Sequence, residues 1–143
     1  MKPIDLDIEK MIPHRSRMKL IETVLAVDDQ RARTAATTSE DWPLYGDGSV
    51  DALVTIELVA QTAALLEGWK RIQGGRGGAT GWLVGIKSAD FRRARLPIAA
   101  ALITEVTKSC ALEGYAVFDG TVLLEDEIVA VMSVQAFRAE ADA

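Results

Sequence analysis

Residues 50–73 read VDALVTIELVAQTAALLEGWKRIQ, and this stretch decides the fold. It holds no proline and is rich in alanine and leucine. Asp47 or Ser49 is placed to cap its start, and Asp51 suits the positive end of a helix dipole. GGRGG follows Gln73 and ends it in a glycine-rich loop. From Leu53 to Leu66 the predicted helix is apolar almost all the way round. Such a helix is not a surface element and must be covered by others.

The flanking sequence supplies the cover. Residues 4–12 read as a short amphipathic turn or helix ending before Pro13. Residues 17–29 read as a strand, and the alternating RARTAATT, residues 31–38, pairs with it as a hairpin. SEDWPLYGDGS, residues 39–49, is dense in turn formers. After the helix, residues 80–88, 98–110, 114–124 and 127–137 read as strands with short links. Two strands, one long buried helix and a late antiparallel meander make an α+β chain with a curved sheet around the helix. The 143 residues suffice for a single domain, 1–143, but cover only part of such a helix, so a dimer is expected.

Composition excludes several functions. Hydrophobic residues at 49% and charged ones at 26% are the balance of an ordinary soluble protein. A net charge of −5 argues against nucleic-acid and membrane-surface binding. No apolar run is long enough for a membrane span, and the acidic MKPIDLDIEK is no signal peptide, so a cytoplasmic location is expected. Cys110 is the single cysteine and His14 the single histidine, which rules out an internal disulfide and the usual zinc sites. Cys110, late in a strand pattern, reads as a small buried hydrophobe. No serine sits in a nucleophile-elbow context, and GGRGG lacks the Lys-Ser/Thr of a phosphate loop.

Two strongly polar residues interrupt the apolar helix, Glu57 and Gln61, four apart and so on one face. A buried carboxylate is costly unless it is paired or hydrogen-bonded. Glu57 either pairs with an arginine to hold a packed interface or is a desolvated carboxyl available for proton transfer. His14, in MIPHRSRM, residues 11–18, is either a connecting-segment residue or the best general base in the chain.

Three segments carry a resemblance to a known family. IPHRSRMKLIETVLAVD, residues 12–28, resembles the opening of the FabZ-type 3-hydroxyacyl-ACP dehydratases, where Leu-Pro-His-Arg precedes the first strand. IELVAQTAALLEGW, residues 56–69, resembles their central helix with its Ile-Glu-x-x-Ala-Gln core. GIKSADFRRARLP, residues 85–97, resembles their strand of the form Gly-Ile-x-x-x-x-Phe-[Lys/Arg]-[Lys/Arg]-x-Val-x-Pro. The likeness is greatest to the ApeP-like branch, which shares the Pro-His start and a helix end carrying Gly-Trp, here Gly68-Trp69. The resemblance implies the hotdog fold, a homodimer or a heterodimer with another hotdog protein, and substrates held as thioesters on an acyl carrier protein. The sequence shows no cofactor motif, the implied chemistry needs none, and no metal is expected.

Dehydration of a 3-hydroxyacyl thioester needs a base for the C2 proton, an acid for the C3 hydroxyl and N–H donors for the thioester carbonyl. By resemblance, Glu57 is the family glutamate, Gln61 the glutamine a turn later, and Ala52 stands where the family has its helix-start glycine. The family's Gly-His-Phe-Pro region falls within WPLYGDGSVD, residues 42–51, which offers Tyr45 and Asp47 but no histidine. The same histidine is absent from the ApeP-like branch. That leaves His14 as the expected partner of Glu57, reaching the pocket across the dimer interface. Leu53, Gly85 and Ile86, with Trp82, Leu83 and Val84, are candidates for lining an acyl tunnel, and equally for plain core. Arg92, Arg93 and Arg95, with Arg71 and Arg76, form a candidate basic patch for an acidic carrier protein or its phosphopantetheine phosphate. Two alternatives stand beside the dehydratase: a non-catalytic acyl-ACP-binding subunit paired with an active enzyme, and a hotdog thioesterase using Glu57 or Asp47.

Overall fold

The computed structural model describes residues 3–12, 18–75 and 82–138, apart from the side chains of residues 82–84 and 138. A 3-10 turn, Ile8–Lys10, comes first, capped by Asp7, which accepts the Glu9 N–H. Then follow β1 (Thr23–Val27), β2 (Arg31–Thr37), β3 (Tyr45–Gly46), β4 (Ser49–Asp51) and the helix α1 (Val54–Gln73). After the helix come β5 (Trp82–Phe91), β6 (Arg95–Pro97), β7 (Ala101–Leu112), β8 (Tyr115–Leu124) and β9 (Glu127–Arg138).

Six strands form one antiparallel sheet in the order β1-β2-β7-β8-β9-β5, and β3-β4-β6 form a small second sheet. Period-2 alternation sends Ala32, Thr34 and Ala36 of β2, Leu102, Thr104 and Val106 of β7, and Phe118 of β8 inward. Leu58, Val59, Leu65 and Leu66 of α1 are fully buried. Each such side chain contributes about 1.5–3 kcal/mol of hydrophobic stabilisation. Gly120 lets β8 come close to the helix: a Cβ there would stand 2.6 Å from a methyl of Val59. One helix with a curved antiparallel sheet wrapped around it is the hotdog fold.

The helix starts later than its sequence pattern predicts. Val50 and Asp51 instead pair with Leu96 and Arg95 as part of the small sheet. Neither Asp47 nor Ser49 caps the helix; Leu53 is the N-cap residue and makes no side-chain cap bond. Asp51 Oδ1 accepts the Leu53 N–H at 2.9 Å. Lys70 and Arg71 lie in the last turn, where the dipole favours cations.

The first strand is also shorter than predicted: the Leu20 and Ile21 N–H groups bond to Gln61 of the helix, and pairing with β2 begins at Glu22, whose N–H donates to the Ala35 carbonyl. Cys110 is exposed, not buried: a bulge between Lys108 and Cys110 breaks the inward register of β7. Asp28 closes the β1–β2 hairpin. Its carboxylate accepts the N–H groups of Gln30 and Arg31, which holds its pKa below the ordinary value. Among the described residues no helix is long and apolar enough to cross a membrane.

Candidate active site

Glu57 sits in the first turn of α1 and is half-buried. Gln61, one turn on, is fully buried. Its Oε1 accepts the N–H groups of Leu20, at 2.8 Å, and Ile21, at 3.3 Å. Its Nε2 donates to the Met18 carbonyl and, at 3.1 Å, to Glu57 Oε1. An amide offers two acceptor sites and two N–H donors, and all four are used here. This network does two things at once. It fastens residues 18–21 to the helix, and it fixes one oxygen of Glu57.

The backbone before His14 is fastened to the same helix face. Gly68 lies against Met11 so closely that a Cβ would stand 2.0 Å from the Met11 carbonyl oxygen. Gln61 and Gly68 are seven residues apart and so face the same way. His14 itself lies outside the described residues, as do Arg76 and the side chains of Trp82, Leu83 and Val84.

The helix start offers a backbone donor, though not at Ala52. The Ala52 N–H is engaged by the Ala94 carbonyl at 3.0 Å. Leu53 donates to Asp51, Thr55 to the Ala52 carbonyl and Ile56 to the Leu53 carbonyl. The Val54 N–H has no hydrogen-bond partner among the described residues. It is one of the donors a helix leaves unmet at its start. Only the capping pattern reveals it, so residue identity gave no signal.

The other candidates separate by face. Leu53 is exposed and lies one turn before Glu57. Ile86, also exposed, pairs with Val134, whose side chain lies on the helix side of the sheet. Gly85 pairs with Gln135 and lies on the opposite face. Tyr45 and Asp47 belong to the exposed β3–β4 hairpin, where Asp47 and Gly48 both take positive φ.

The arginines do not form one patch. Arg95 is a structural clamp: its Nη2 donates to the carbonyls of Gly46 and Ser49, and its Nε to Ser49 Oγ. Arg92 pairs with Asp90 at 3.5 Å, and Arg93 is exposed. These residues flank Ala94, which is bonded to Ala52, so they lie beside the start of α1. Arg71 is in the last turn of the helix, roughly 25 Å away along its axis.

A hotdog domain with a carboxylate fixed near the start of its central helix defines the class. The chain belongs to the ApeP-like family, described as ApeP dehydratase, which matches residues 6–143. No curated protein matches the chain. Among solved structures, it resembles the dehydratase heterocomplex ApeI:P from Xenorhabdus doucetiae, with a TM-score of 0.84 and 19% identity over 95% of this chain and 93% of that one. A hypothetical thioesterase with coenzyme A from Streptococcus pneumoniae TIGR4 has a TM-score of 0.62 and 12% identity, covering 81% and 84%. The PaaI protein of the phenylacetic acid degradation operon of E. coli has a TM-score of 0.60 and 16% identity, covering 80% and 81%. At these identities the likenesses carry the fold alone.

Proposed function

We propose that the protein is a (3R)-3-hydroxyacyl-ACP dehydratase acting on thioesters in fatty acid or aryl polyene-type synthesis. Glu57 and His14 form the proton-transfer pair: one takes the C2 proton and the other protonates the C3 hydroxyl, which leaves as water. The C2–C3 double bond forms from the C–H electron pair. The Val54 N–H polarises the thioester carbonyl. No cofactor is needed, and the substrate arrives on the phosphopantetheine arm of an acyl carrier protein. Arg92 and Arg93 meet the acidic carrier beside the helix start.

One observation carries this reading. Gln61 ties the backbone just after the Pro-His segment to the helix that bears Glu57, and it hydrogen-bonds Glu57 directly. Gly68 holds Met11, on the other side of that segment, to the same face. The ApeP-like family membership supports the same chemistry.

A second reading is favoured by the ApeI:P heterocomplex, in which a protein of similar fold works beside another. Here the chain is the acyl-ACP-binding half of a heterodimer, and its hotdog partner supplies part of the site. β5 is a sheet edge with exposed residues and suits such pairing.

Incubation with 3-hydroxyacyl-ACP, with products identified by mass spectrometry, tests both readings. The protein alone is expected to form enoyl-ACP, and Glu57→Gln to lose at least about 100-fold in rate. Product formed only with an added hotdog partner would establish the second reading. Release of a free acid would make the protein a thioesterase.

A further inference from the structure

Two lysines crowd one buried carboxylate toward the C-terminal end of α1. Glu67 is only 8% exposed, and Lys108 Nζ of β7 lies 2.5 Å from its Oε1. The Lys108 side chain is buried with it, its amine over the Phe118 ring at 5.8 Å from the centroid. Lys70 stands three residues after Glu67 and so shares that helix face. It lies in the last turn and is half-buried. Its amine meets the Lys108 amine, while Glu67 and Asp29, in the β1–β2 turn, supply the opposing charge.

One carboxylate cannot serve both ammonium groups equally. Lys108 holds it at contact distance inside the core, where breaking the pair would strand a buried charge. Lys70, nearer to solvent, is the one that gives up its proton more easily. Burial, and then the Lys108 amine, hold its pKa below the ordinary lysine value, against the pull of Glu67 and Asp29. A lysine desolvated beside another cation is the arrangement that makes an amine nucleophilic near neutral pH. Half exposure leaves that amine within reach of a dissolved reagent.

We propose that Lys70 is an acylation site, whose amine attacks the carbonyl carbon of an acyl thioester and keeps the acyl group. The C–N bond forms and the C–S bond breaks. The surplus proton of the amine passes through solvent to the departing thiolate. An amide at Lys70 and a free thiol are the products, with nothing oxidised or reduced. The inference goes beyond the dehydratase reading and stands without it, since any acyl thioester can be the donor. The amide carries no charge, so it ends the crowding and leaves Glu67 to Lys108 alone.

The test is incubation of the full chain with acetyl coenzyme A, and separately with an acetylated carrier protein, with the rate at each lysine read by peptide mass spectrometry. Lys10 and Lys87 are exposed and serve as references in the same sample. Near pH 7, Lys70 is expected to be acetylated at least about tenfold faster than either. From about pH 7 to pH 9 the reference rates should climb about tenfold per unit, while the Lys70 rate levels off first. Lys108→Met returns Glu67 to Lys70 and should cut the excess at least about fivefold. Selective labelling by either donor upholds the proposal, and the donor that labels identifies the source of the acyl group. Lys70 labelled no faster than Lys10 and Lys87 by either donor would overturn it, a result that needs no variant. An excess unchanged in a Lys108→Met protein that still melts cooperatively would overturn the two-lysine cluster as its cause.

Discussion

Gln61 Nε2 and Glu57 Oε1 are joined by a 3.1 Å hydrogen bond across one turn of α1. The bond is one of four made by a fully buried amide, so Gln61 serves stability and site together. Gln61→Leu would leave the Leu20 and Ile21 N–H groups and the Met18 carbonyl without their partner. A loss of about 3 kcal/mol is expected in denaturant titration. Glu57→Gln should stay within about 1 kcal/mol of wild type, as a half-buried residue that keeps its hydrogen-bonding capacity. A Gln61→Leu protein as stable as wild type would show that the network does not hold residues 18–21.

Gly68→Ala sets two effects against each other. Alanine in a helix interior is better than glycine by about 1 kcal/mol. The new Cβ would stand 2.0 Å from a backbone oxygen of Met11, which cannot rotate away. Overpacking costs of about 1–3 kcal/mol or more should win. Thermal melts are expected to show net destabilisation. Gly120→Ala, which meets a Val59 side chain instead, should lose less.

Arg95 and Arg93 should part company experimentally. Arg95→Ala removes three hydrogen bonds that pin the β3–β4 hairpin next to the helix start, and it should lower the melting temperature. Arg93→Ala should leave the melt unchanged and weaken carrier-protein binding, with a smaller salt dependence than wild type. Equal carrier binding by the Arg93 variant at low salt would exclude that surface as the docking site.

Lys70 predicts a pH signature. Its pKa in the folded protein is lowered, so below that value both states hold the proton and folding bears the cost of the partly buried charge. As pH rises through the folded pKa, the unfolded state binds more protons and stability increases. Lys70→Met removes the cost. The variant should therefore be more stable than wild type at pH 7, with the difference shrinking toward the ordinary lysine value of about 10.4. A difference constant from pH 7 to pH 10 would mean that Lys70 is not desolvated.

The sequence pattern exposed the long elements and missed the short ones. Val54–Gln73 and the late strands carry enough residues for periodicity to show. β4 and β6 have three residues each and are recognisable only by each other. The Asp47-Gly48 pair marked a turn, yet the two strands flanking it were too short to read as a hairpin. Glu57 and Gln61 stood out because polarity inside an apolar helix demands a partner. The partners of Gln61 are backbone groups of residues 18–21, which have no side-chain signature. For the same reason the role of Arg95 was hidden: its acceptors are mostly carbonyls.

The exposed thiol at the far end of β7 gives the chain a chemical handle at one position. Cys110 is the single cysteine, so a maleimide dye will attach there alone, with no engineered background. The same geometry warns of an artefact. Two molecules can cross-link through Cys110 during purification in air, and a covalent dimer on a non-reducing gel would then be chemistry at this site and not assembly through β5. Reductant, or Cys110→Ser, distinguishes the two before any oligomeric state is assigned.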